Sequence, residues 1–245
     1  MMAANLPDRA AAALERLREN RSRVHCLMNT VAQKLVADGL SAVGAIPSMT
    51  SSAEEVPHFV RHADALLVNL GTLDAGRREA IGLALDAAGE AGRRWTLDPA
   101  HCDYSPPRAA YATALLARAP AVLRANAAEH DMLAVPAGTV SVRTGEADRI
   151  ACGEKRLTVE NGHPLMARVT GTGCLSGAVT AAFLAVEDDA FVAAASAMLA
   201  MGVAAEMAAE ATRGPGSFEP ALLDALAALA SIDIVRRARI GHGEG

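Results

Sequence analysis

Lysine and aromatic residues are scarce in this chain. Of its 23 basic residues only Lys34 and Lys155 are lysines, and Phe, Trp and Tyr make up 3% of its 245 residues. Neither lysine sits in a Gly-x-x-x-x-Gly-Lys-Ser/Thr loop, which excludes a Walker-type nucleotide site. A pyridoxal Schiff base has equally little to draw on. So few aromatic rings cannot build a base-stacking surface, and a net charge of −5 gives no reason to expect nucleic acid or anionic membrane as a partner. Cys26, Cys102, Cys152 and Cys174 are far apart, with no Cys-x-x-Cys pair. That spacing excludes a disulfide framework and a Cys/His zinc site, and points to a reduced cytoplasmic protein. His-Glu-x-x-His and Gly-x-Ser-x-Gly motifs are absent as well, which argues against zinc-peptidase and serine-hydrolase chemistry. The N-terminus alternates charge with alanine and leucine, as an amphipathic helix does, and lacks the apolar core of a signal peptide. The longest uncharged stretch near the C-terminus, Ala190–Ala205, falls short of the ~20 residues that span a bilayer.

What is present is apolar and helix-forming: 51% of the residues are hydrophobic, and alanine dominates. Short β-type runs at Val24–Met28, Ala65–Leu70, Trp95–Leu97, Ala121–Leu123 and Thr139–Val142 alternate with helical spacing, such as Val31, Leu35, Val36 and Leu40. This alternation predicts α/β architecture with a parallel sheet covered by helices. Asp148–Val159 reads as a hairpin turning at Gly153-Glu154, and from Cys174 onward the chain is nearly all helix. No break resembles an interdomain linker, so residues 1–245 are expected to form one domain.

The most informative pattern is Val169-Thr170-Gly171-Thr172-Gly173-Cys174, which opens directly onto an apolar helix. Glycines there allow close backbone approach, and the free N–H groups of the helix start face whatever binds, so the segment suits an anion. A plain glycine-rich turn is the alternative. Cys174 lies where a helix dipole favours thiolate; it could act as nucleophile or base, or simply pack. Asp98 and Glu129 each follow a candidate strand, where two carboxylates could hold Mg²⁺ or merely cap helices. Arg124 and Thr144-Gly145 add a cation and a hydroxyl at the same edge. Together these residues point towards phosphoryl transfer. His25, His101 and His163 are scattered and read as packed or solvated.

The shared order of several short motifs is similar to the hydroxyethylthiazole kinase family, thiamine-salvage enzymes of the ribokinase-like superfamily. They are Val24-His25 with Asn29, Gly39-Leu40 through Met49, Asn69-Leu70-Gly71-Thr72-Leu73, and Leu97-Asp98-Pro99. Further on come Arg124 with Asn126-Ala127-Ala128-Glu129, Thr144-Gly145-Glu146, Asn161-Gly162-His163, the Gly171–Cys174 loop and Gly214-Pro215-Gly216. The resemblance implies a ribokinase-like three-layer sandwich, with helices flanking a mostly parallel central sheet. It also implies ATP- and Mg²⁺-dependent phosphorylation of 4-methyl-5-(2-hydroxyethyl)thiazole. Carried over by position, Met49 and Gly171 contact the thiazole, with Asn29 and Gly71 as neighbours; Arg124 and Thr144 contact ATP; Asp98 and Glu129 serve Mg²⁺. Cys174 stands beside the substrate hydroxyl, and Gly171, Thr172 and Gly173 form the anion hole. Family members are homotrimers with pockets between subunits. Two departures accompany the match: Ala100–Pro107 replaces a Val-Gly-Ala-Gly type loop, and the segment His130–Gly138 is short. Another small-alcohol kinase, a nucleotide-dependent dehydratase on the same fold, and a non-catalytic binding protein are the alternatives.

Overall fold

A computed structural model describes residues 2–241. The chain opens with α1 (Met2–Asn20), β1 (Arg23–Leu27), α2 (Gln33–Val43), β2 (Ile46–Ser48), α3 (Val56–His62), β3 (Ala65–Asn69) and α4 (Ala75–Glu90). It continues through β4 (Arg94–Asp98), α5 (Pro106–Leu116), β5 (Val122–Asn126), α6 (Ala127–Asp131), β6 (Val140–Thr144), β7 (Asp148–Cys152) and β8 (Lys155–Val159). The final elements are α7 (Thr172–Leu184), α8 (Ala190–Glu210), α9 (Pro215–Ala228), α10 (Ser231–Arg237) and β9 (Ile240–Gly241).

One sheet of nine strands carries these elements, in the order β2-β1-β3-β4-β5-β6-β7-β8-β9. The strands from β2 to β6 pair in parallel, and β6 to β9 pair antiparallel. The mostly parallel α/β sandwich expected from the sequence is therefore the observed fold. The middle strands are buried on both faces, which is why β3 is a continuous apolar run (Ala-Leu-Leu-Val) rather than an alternating one. One face of the sheet packs against α3, α4 and α5 through Val56, Val60, Ile81, Leu85, Ala112 and Leu115. The other face supports a larger core contributed by α1, α2, α7, α8 and α9.

Alanine explains the thickness of that larger layer. α7 and α8 are apolar on every side, so they must be enclosed, and their small side chains let neighbouring helices approach closely. The helix α8 extends beyond the uncharged stretch and is long and apolar enough to cross a membrane, but 83% of its apolar window is buried inside the fold. It serves as the central core helix.

β2, α3, α5, α6, α10 and β9 were not delimited in the sequence reading. β2 holds a proline and has only three half-buried residues; it is tolerated because it is an edge strand. α10 and β9 lie after the long helices, where few apolar residues announce them. The reading also ended β5 at Leu123. The strand runs on through Arg124 to Asn126, because its last residues leave the core at the cleft edge. The same holds for β6, which continues to Thr144.

Candidate active site

The C-terminal ends of the parallel strands open into a cleft of about 1100 Å³, which runs from Asn29 and Gly71, past Asp98, Arg124 and Thr144, to Asn161–His163. This is where a parallel α/β sheet places a ligand site. Gly171, Thr172, Gly173, Cys174 and Glu129 also line it.

The floor is the start of α7. Gly171 caps the helix at φ 95, a left-handed conformation that favours glycine, and a β carbon there would meet that of Ala32 at 2.9 Å. The first intrahelical bond at this end is Leu175 N to Gly171 O, 2.8 Å, so the amides of Thr172, Gly173 and Cys174 have no intrahelical acceptor. The Thr172 hydroxyl turns away to the carbonyls of Met166 (2.7 Å) and Val169 (3.1 Å), securing the preceding 3-10 turn Pro164–Arg168. What faces the cleft is thus backbone amide, reinforced by the positive end of a 13-residue helix.

Arg124 lies directly over this floor, its guanidinium held by a 3.1 Å donation to Thr144 Oγ1 and 3.9 Å from Asp98 Oδ2. A cation beside the positive end of a helix is disfavoured by ~0.3–1 kcal/mol at an exposed site. An anion between them reverses the sign of both interactions. Its Nε is buried without a partner.

Asn69 organises the other side of the site. Fully buried at the end of β3, it donates to Asp98 Oδ2 (2.8 Å) and Cys174 Sγ (3.4 Å). Its Oδ1 accepts from the backbone N of Gly71 (3.0 Å) and of Asn29 (3.3 Å). Arg77 of α4, also buried, donates to the carbonyls of Asn69 and Gly71 and fixes the loop between them. From sequence, Asn69 was noted only as the first residue of a motif that carries the family resemblance, with no role given to it, and Arg77 was not singled out. The available signal was an amide ending a run of four apolar residues; for Arg77, in an ordinary helical stretch, there was none.

For Cys174, of the open alternatives, the surroundings favour packing over thiolate chemistry. It does lie in the first turn of α7, but its thiol is pushed up to about 11, chiefly by burial and next by the charge of Asp98. Amide donation from Asn29 at 3.2 Å only partly offsets this. The dipole does not deliver a thiolate at neutral pH; desolvation and a neighbouring carboxylate outweigh it.

Asp98 is buried and has a raised pKa, through desolvation first; Arg124 pulls it down while the charge of Glu129 pushes it up. Glu129 is buried too and does cap a helix, in a capping box with Asn126: Oε2 accepts from Asn126 N at 2.9 Å. Its Oε1 accepts from His101 N at 2.7 Å. Each carboxylate oxygen retains a lone pair. Two hard oxygen donors whose charges repel across a buried cleft suit a divalent cation, and Asp98 and Glu129 thus fit Mg²⁺. His101 and Asp103, in the loop that departs from the family pattern, offer further ligand atoms that lie within 4.8 Å of one another and of Glu129. Non-glycine residues with positive φ gather around this edge: Thr72 at 49, Ala100 at 28 and His101 at 59. Such strain is typical of functional loops.

Two placements differ from the rest. Asp148, at the start of β7, faces the cleft with a pKa raised to about 6, mainly by burial and against the pull of Arg124. Met49 is not among the cleft-lining residues. It packs half-buried against the larger core beyond β2. Its neighbours are tied to buried His25, whose Nδ1 is 2.8 Å from Ser48 Oγ and whose Nε2 is 3.0 Å from Thr50 O.

The fold, a mixed sheet flanked by helices with a cleft at its strand ends, is one that ribokinase-like proteins share. A ribokinase-like superfamily protein from Enterococcus faecalis V583 superposes with a TM-score of 0.62 at 16% identity, over 87% of this chain and 89% of its own. At that identity the likeness is one of fold. The hydroxyethylthiazole kinase protein from Pyrococcus horikoshii OT3 superposes with a TM-score of 0.91 at 34% identity, over 96% of this chain and 99% of its own. A probable hydroxyethylthiazole kinase from Agrobacterium fabrum is 53% identical over 237 residues, which cover 97% of this chain and 96% of the relative. The Hydroxyethylthiazole kinase family model matches residues 14–134 and 130–231, two stretches that meet at the short connection between α6 and β6. The chain belongs to the hydroxyethylthiazole kinase family.

Proposed function

We propose that this protein transfers the γ-phosphoryl group of ATP to the primary alcohol of 4-methyl-5-(2-hydroxyethyl)thiazole, giving the thiazole phosphate used to make thiamine phosphate. The observation that carries the reading is the guanidinium of Arg124 facing the unpaired amides of α7, in a chain of this family. Phosphoryl transfer needs positioning and charge stabilisation more than covalent help from the protein. In this reading Arg124 and Thr144 hold the ATP phosphates, and the amides of Gly171–Gly173 stabilise the transferring group. Asn29 and Gly71 flank the thiazole, and Met49 contacts it. Asp98 and Glu129 would hold Mg²⁺, which neutralises phosphate charge when bound. With its pKa raised to about 11, Cys174 stays protonated and shapes the site beside the substrate hydroxyl.

The working form in this reading is a cytoplasmic homotrimer whose thiazole pockets lie between subunits. Two observations support it: Met49 is outside the cleft of the single chain, and Val31 at the cleft rim is 71% exposed. The test is release of ADP by the purified protein with ATP and Mg²⁺, with and without hydroxyethylthiazole, followed by the mass of the product. Thiazole-dependent ADP release with a phosphorylated product is expected. Nucleotide binding with no turnover would overturn the kinase reading.

A further inference from the structure

The strand β7 runs antiparallel to β6, and β8 antiparallel to β7, so β8 ends on the same sheet edge as Thr144. The residues that follow it, Asn161-Gly162-His163, form the cleft wall on the side of Arg124 and Thr144, away from Asn29 and Gly71. Asn161 is 4% exposed, yet its side-chain hydrogen bonds point away from the cleft. Its Nδ2 donates to Arg237 O (2.8 Å) and to both carboxylate oxygens of Glu206 (3.1 and 3.2 Å), while its Oδ1 accepts from Arg239 N (2.7 Å). Glu206 Oε1 also accepts from Gly162 N at 2.9 Å. The Arg239 guanidinium completes the arrangement, donating to Glu206 Oε1 (2.6 Å) and Oε2 (3.2 Å) and to Glu160 O (2.8 Å). From behind, α8 meets the same backbone at Gly202, where a β carbon would lie 2.5 Å from Asn161 O. These partners hold Glu160, Asn161 and Gly162, the stretch that leads into the cleft wall.

We infer that Arg239 is a positioning residue for the nucleotide: through Glu206 and Asn161 it sets the cleft wall that ATP lies against. This rests on the kinase reading for the identity of the ligand. A charge-assisted, multiply bonded contact that fixes a wall without touching the ligand should act on affinity and leave the chemical step alone.

The experiment measures ATP affinity by calorimetry without thiazole, and KM for ATP and for thiazole separately, in wild type, Arg239→Ala and Arg239→Lys. Arg239→Ala is expected to raise Kd and KM for ATP by about 3- to 10-fold, the size suited to a half-exposed charge pair. KM for thiazole and kcat should stay within about twofold, and Arg239→Lys should recover part of the ATP affinity. A purely structural role would lower thermal stability with no split between the two KM values. That result, or unchanged ATP affinity, would overturn the inference. Should Arg239→Ala fail to fold, Glu206→Gln is measured in the same way, since it keeps an acceptor for Gly162 N and loses the charge pair. A wild type that binds ATP without phosphorylating thiazole sinks the kinase reading and leaves the calorimetric comparison valid; a wild type that binds no ATP overturns both.

Discussion

The guanidinium of Arg124 rests on the α carbon of Gly173: a β carbon there would stand 2.9 Å from Nη2 and 3.1 Å from Nη1. One contact joins the end of β5 to the first turn of α7. It sets the cation and the free amides that a phosphate would bridge at one spacing, and it explains why the second glycine of Gly-Thr-Gly-Cys is glycine. Gly173 does not have positive φ, so its backbone would accept any residue. Close approach is the reason.

Gly173→Ala should therefore separate stability from function. Alanine suits the helix start, and the melting temperature is expected to remain unchanged or rise slightly. Arg124 must shift by a few tenths of an ångström or swing aside, and kcat/KM for ATP should fall by about tenfold or more, in line with loss of an electrostatic contact in the transition state. A variant of full activity would show that Arg124 does not set the phosphate position.

How legible was this site in the sequence? Strand-end residues could be placed because β1, β3, β4 and β5 announce themselves as short apolar runs, and Asp98 follows one directly. The glycine loop could be placed because an apolar helix follows it. What remained hidden depended on contacts across the sheet. Asn69 touches Asp98, Cys174 and Gly71, and Arg77 grips the loop from α4, but neither relation has a local signature. The choice among the roles left open for Cys174 was hidden for the same reason. A helix start is visible in sequence, whereas burial and a carboxylate neighbour are not.

Cys174→Ala should retain measurable turnover, since a thiol whose pKa is about 11 is protonated at neutral pH and can act as neither thiolate nucleophile nor ready base. The pH–rate profile of the wild type should show no inflection between about pH 7 and 9 that the variant abolishes. Complete loss of activity in folded Cys174→Ala would assign the sulfur a chemical role. Cys174→Asp adds a separate arm: activity retained there would favour proton acceptance at this position.

Neutralising either carboxylate should cost more than losing the thiol. Asp98→Asn and Glu129→Gln are expected to lower kcat by ~10²-fold or more, with a raised requirement for Mg²⁺, as removal of a metal-holding charge does. Glu129→Gln also weakens the capping box of α6 and the bond to His101 N, so it should destabilise by ~1 kcal/mol. Asp98→Asn relieves a buried, repelled carboxylate and should be neutral or stabilising. Titration of activity against Mg²⁺, alongside thermal melts, separates the two. Variants with wild-type Mg²⁺ dependence would remove both residues from the metal site.

His25 should make the fold sensitive to mild acid. Burial lowers its pKa from 6.5 to about 4, against a smaller upward pull from the Thr50 carbonyl. Because Nε2 faces that carbonyl, it carries the proton, and Nδ1 accepts from the Ser48 hydroxyl. The folded ring is therefore neutral where the unfolded one is already charged. Between about pH 6.5 and 4 the unfolded chain binds a proton that the folded chain refuses, so stability present above pH 6.5 is lost as pH falls, by ~3 kcal/mol in total at 1.36 kcal/mol per unit. His25→Gln can make both hydrogen bonds without a titrating group. Urea unfolding at pH 7.5 and 5, at one protein concentration, should show a clear loss for wild type and a smaller one for the variant. Parallel losses would place the acid sensitivity elsewhere. The same substitution probes Met49, which sits between the two residues His25 ties down: a rise in KM for thiazole with KM for ATP unchanged is the expected companion result.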